Sequence, residues 1–94
     1  MKKTDFGIIF DSLYDNDWTD EKHYVMYYDL ADDFADNGNK LHCWLEVVYN
    51  AEERVLNFNR VTEDENGYGE SNDVEKFLPY KTKRRIIDDL EMFV

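Results

Sequence analysis

The 94-residue chain is 43% hydrophobic and 16% aromatic, enough for one compact core over residues 1–94, and this excludes full disorder. Its 22 acids against 11 bases leave a net charge of −11, a balance that repels nucleic acid and anionic membranes and attracts basic partners. The one cysteine, Cys43, excludes an internal disulfide. A reducing, cytoplasmic setting is therefore expected. No apolar run approaches the ~18 residues of a membrane span, and no signal peptide is expected behind Met1–Asp5.

At the N-terminus, Phe6, Ile9, Phe10, Leu13 and Tyr14 recur at helical spacing, with Thr4 or Asp5 as a cap. Residues 5–14 are read as a helix on this basis, although Gly7 costs about 1 kcal/mol there and Phe6–Phe10 also fits a strand. Residues 20–37 are read as a second helix. Thr19 is its cap, Asp20 and Glu21 lie at the positive end of its dipole, and Gly38 is its left-handed stop. Tyr24, Tyr27, Tyr28, Ala31, Phe34 and Ala35 then share one side, and Asp29, Asp32, Asp33 and Asp36 the other. The competing reading makes His23–Tyr28 a strand, on β propensity.

Residues 40–62 read as a β-hairpin. Leu41, Cys43, Leu45, Val47 and Tyr49 alternate with His42, Trp44, Glu46 and Val48; Asn50–Glu53 turns, and Leu56 and Phe58 face one way on the return. Residues 62–73, with two glycines, two asparagines and five acids, read as an acidic solvated loop. Asn72 or Asp73 can cap a short helix through Leu78. A C-terminal helix then starts near Pro79, with Ile86, Ile87, Leu90, Phe93 and Val94 on its apolar side. The expected class is α+β, ordered α-α-β-β-α, with helices covering a central hairpin.

Chemistry-bearing patterns are sparse. Ser12 and Ser71 sit in no nucleophile elbow, and His42 beside Cys43 points to the opposite strand face, so Cys43 is expected to be a buried structural thiol. Two histidines and one cysteine cannot build a zinc cage, and residues 62–73 match an EF-hand loop poorly, with Thr62 at its first position and Asp73 at its last. Phosphate-loop motifs are absent. No enzyme activity, cofactor or metal is expected. Lys81, Lys83, Arg84 and Arg85 form a short basic patch, which Asp88 and Asp89 at i+4 spacings, together with Glu91, can neutralise.

The acids stand above this background. On a helix, Asp29, Asp32, Asp33 and Asp36 fall within about 10 Å of axis, a charge density comparable to a nucleic-acid strand with one phosphate per ~3.4 Å. No lysine or arginine interrupts the run between Lys22 and Lys40. Glu63, Asp64, Glu65 and Glu70 extend the acidic surface. The expectation is a small inhibitory binding protein that mimics DNA and occupies the basic groove of a nucleic-acid-handling enzyme. Its partner would be a basic protein surface. In size and charge alone this parallels small phage inhibitors of host defence and nuclease-immunity proteins. The alternative is a non-catalytic regulatory or assembly adaptor docking through its aromatic hairpin or its C-terminal helix.

Overall fold

The structure, a computed structural model, describes residues 2–94 and builds them into six strands and one helix. The strands are β1 (Ile9–Trp18), β2 (His23–Asp29), β3 (Asp33–Phe34), β4 (Lys40–Asn50), β5 (Val55–Glu63) and β6 (Gly69–Asp73); the helix is α1 (Tyr80–Glu91). All pairings are antiparallel, in the order β1-β2-β4-β5-β6, and β3 continues the edge of β4 on which β2 lies. The chain is thus a meander that visits neighbouring strands in sequence. Apart from a brief pairing with β3, β4 holds β2 on one side and β5 on the other, so it is the central strand.

The expected α+β class, ordered α-α-β-β-α with helices covering a central hairpin, is overturned. The described chain is mostly antiparallel sheet with one short C-terminal helix, and both N-terminal helices are replaced by strands and turns. In β2, Tyr24, Met26 and Tyr28 are buried on one face, with Leu30 just beyond the strand and Val25 buried on the other face, and seven rungs tie His23–Asp29 to Trp44–Asn50. Nearly every residue from Tyr24 to Tyr28 is apolar, so periods of two and of 3.6 both fit; β propensity and the pairing partner decide. The supposed helix signals are turn signals. Asp20 accepts from the backbone N–H groups of Lys22 and His23 at 2.7 and 2.8 Å, which closes the β1–β2 loop and starts no helix. Gly38 is left-handed, at φ 85°, but in the turn between β3 and β4. Helix caps and tight turns use the same short-range chemistry.

Residues 5–14 are likewise not helical. Phe6 and Gly7 are left-handed at φ 55° and 71°, and a Cβ at Gly7 would stand 2.6 Å from that of Ala31. β1 follows with two register shifts, and within the first the Ser12 hydroxyl donates to the Ile9 carbonyl (2.6 Å) and accepts from the Asp29 amide (2.7 Å). The short helix through Leu78 is also absent: residues 72–73 end β6, and turns follow.

The hairpin expected over 40–62 is present, as β4 and β5 with Asn50 capping its turn through the amides of Glu52 and Glu53. The C-terminal helix is also present, but it ends at Glu91, so Phe93 and Val94, expected on its apolar side, lie beyond it and are exposed. Thr82, Ile86 and Leu90 recur every four residues and bury that side of α1 against Tyr28, Leu45, Val47 and Phe58. Tyr28 donates its hydroxyl to Asp89 at 2.7 Å, and the Arg85 guanidinium lies 4.6 Å from the Phe10 ring centroid. Arg84 pairs with Asp88 at 3.0 Å, as the i+4 spacing predicts. No helix among the described residues is long and apolar enough to cross a membrane.

Candidate functional site

Strand parity assigns each side chain to one of two faces. Cys43, Leu45 and Val47 face α1 and are buried, so His42, Trp44, Glu46 and Val48 stand on the opposite, helix-free face. Tyr27 and Asp29 of β2 and Val61 and Glu63 of β5 join them there through the register Tyr27↔Glu46, Asp29↔Trp44, Trp44↔Val61 and His42↔Glu63. Cys43 is fully buried, 3.6 Å from an Arg60 nitrogen, and is not available as a nucleophile.

At one end of the sheet the β2–β3 connection meets the β5–β6 turn. An open recess of about 720 Å³ forms there, lined by Asp29, Asp32, Glu63, Asp64 and Glu65 together with Lys40 and His42. Residues distant in sequence thus place five carboxylates around one depression. Lys40 answers one of them, its ammonium 3.0 Å from Asp32. His42 Nδ1 lies 3.8 Å from the other Asp32 oxygen. On the α1-facing side of the same end, a second recess of about 510 Å³ is lined by Asp36, Asp64 and Glu70 beside exposed Phe34 and Tyr68.

Seven of the eight acids expected to form the binding surface therefore line two recesses at one end, though not as a helical stripe. The four aspartates of 29–36 do not share a face. Asp33 leaves the group: it accepts from Arg60 at 3.1 Å on the α1-facing side. The Phe34 backbone amide, and then the Arg60 guanidinium, hold the Asp33 carboxyl below its ordinary range. Asp64 is partly committed too, since its side chain accepts from the amides of Asn66 and Tyr68 and folds the tip of the β5–β6 turn. Only residues 64–68 of the expected acidic loop are turn; 69–73 are β6, an exposed edge strand.

Sequence reasoning missed Tyr14 and Tyr27, which stack at a centroid distance of 5.9 Å on the helix-free face. Both were assigned to helices. The alternation around Trp44 was the available signal, because it already separated His42, Trp44 and Glu46 from the core. Among the described residues, no three His, Cys, Asp or Glu side chains converge to hold a metal ion. Comparison of the chain with protein-family models, with curated proteins and with solved structures found no match.

Proposed function

We propose that this protein is a non-catalytic inhibitor that binds through its acidic end to the basic, nucleic-acid-binding groove of a partner protein. The observation that carries this reading is the convergence of Asp29, Asp32, Glu63, Asp64 and Glu65 on one recess with a single lysine among them. Like charges held together disfavour the folded state, and their joint field draws a cationic surface in at long range. The overall charge of −11 acts in the same sense. Docking through α1 itself has less to use, because Ile86 and Leu90 are occupied in the core and the exposed Met92, Phe93 and Val94 lie beyond the helix.

The test is capture of partners from bacterial lysate at low and high salt, followed by competition between the protein and duplex DNA for each captured partner. The expected result is a nucleic-acid-handling protein held at low salt, released at high salt and displaced by DNA. The variant Asp29→Asn, Asp32→Asn, Glu63→Gln, Glu65→Gln spares Asp64, whose carboxylate shapes the turn. It should fold as well as the parent and associate more slowly, chiefly in the on-rate. Binding that ignores both salt and these four substitutions overturns the reading.

A further inference from the structure

A smaller cleft of about 390 Å³ adjoins the acidic recess and shares His42 and Glu63 with it; Tyr14, Tyr27 and Trp44 complete its lining. Its walls come from four strands of the helix-free face. Tyr14 lies opposite Tyr27 in register and stacks on it with 29° between the ring planes. His42 and Trp44, two residues apart on β4, bring their rings to 5.5 Å. Behind Tyr27, the Glu46 carboxylate accepts from the Tyr27 hydroxyl at 3.4 Å and from the Asn59 amide at 3.3 Å. The cleft is thus an aromatic slot with one lining carboxylate, Glu63, while Glu46 lies outside the lining and is bonded to Tyr27. Among the described residues, no lysine or arginine lines it, and the lysine of the adjoining recess is paired to Asp32.

We propose that this cleft seats an arginine side chain of the basic partner, with the guanidinium plane against the Trp44 indole and its charge toward Glu63. The inference rests on the function proposed above and specifies the chemistry the partner presents. Charge and shape together select this occupant. A planar, delocalised and weakly hydrated guanidinium gains from stacking and from the ring quadrupole at once, whereas a lysine ammonium is compact and strongly hydrated. The base of a nucleotide would also stack, but the nucleotide's phosphate would meet Glu63 and the neighbouring acids.

The probe is a short peptide of alternating arginine and glycine, compared with its lysine counterpart at low salt. Titration is followed by the Trp44 indole NMR signal, identified with Trp18→Phe. The arginine peptide should shift the Trp44 signal and bind roughly 5–10-fold more tightly than the lysine peptide. Trp44→Leu should remove that preference and bring arginine down to the lysine level, and Trp44→Phe, which keeps a ring and protects against a folding defect, should retain part of it. Glu63→Gln should weaken both peptides. Equal binding of the two peptides, or an arginine preference that survives Trp44→Leu, overturns the cleft proposal while salt-sensitive binding leaves the acidic-end reading standing. If neither peptide binds at low salt, both fall.

Discussion

On the side of the sheet that α1 covers, Tyr28, Leu45, Val47 and Phe58 are almost wholly buried, and Tyr28 is tied to Asp89. One residue along the same strands, Tyr27, Trp44, Glu46 and Val48 are half-buried and meet no helix. The backbone is common to both faces; only parity separates them. Burial against a helix selects size and shape, and a wrong volume there is felt throughout a close-packed layer. The helix-free side tolerates carboxylates and rings together because water reaches them. A slip of one residue in the pairing of β2 with β4 would exchange the two sets, so the register that secures the core also fixes the acidic end and the aromatic cleft.

The strongest way to break this division is Ile86→Ala. Ile86 is fully buried on the sheet-facing side of α1, and its truncation should cost about 2–5 kcal/mol. Thermal unfolding by circular dichroism should fall by roughly 10 °C or more. Binding of a basic peptide, measured well below the transition, should not change. If affinity drops with stability, the faces are coupled and the division fails.

Tyr28→Phe sharpens it. Loss of the hydrogen bond to the Asp89 carboxylate should cost about 1–2 kcal/mol near neutral pH. Burial above all, and then Asp89, push the Tyr28 hydroxyl above its ordinary value of 10.0. A group raised in the folded state contributes in full below its unfolded value and loses that contribution as pH rises past it. The stability gap between parent and variant, followed by denaturant melts, should therefore narrow above about pH 10. A gap constant through alkaline pH would mean that Tyr28 titrates freely in the fold.

The smallest effect separates two adjacent acids. Asp33 is lowered by the Phe34 amide first and Arg60 second, so its contribution is present above the unfolded carboxylate value and is lost as pH falls through the folded one. Asp33→Asn should lower the melting temperature slightly at pH 7, with the gap closing below about pH 4. Asp32→Asn should not lower it, because its partner Lys40 is exposed and remains solvated. Equal losses from both would return Asp33 to the same role as its neighbour.

Half of this architecture was legible in the sequence, and the division is physical. The β4–β5 hairpin and α1 carry unambiguous periods, two in Leu41–Tyr49 and near four in Thr82–Leu90. Residues 5–37 carry both, and there local polar signals misled. Thr4, Asp5, Thr19, Asp20 and Gly38 do make short-range backbone contacts or adopt positive φ, yet each does so in a turn. That acids are abundant was legible from composition; that Asp33 would turn away to Arg60 was not. How the acids gather was not legible either, because the recess depends on the β2–β3 connection reaching the β5–β6 turn, and that needs β4 between them.

The meander has a kinetic consequence. Each strand meets a neighbour that is close along the chain, so the sheet can grow hairpin by hairpin with short loops to close and little entropy lost per step. The long closures come from outside the sheet: the Thr4 amide on the Phe77 carbonyl, and Tyr28 on Asp89 across 61 residues. Sheet propagation and helix docking are therefore distinct entropic events. The face that α1 leaves bare is built from strand pairings alone and uses no contact from the helix.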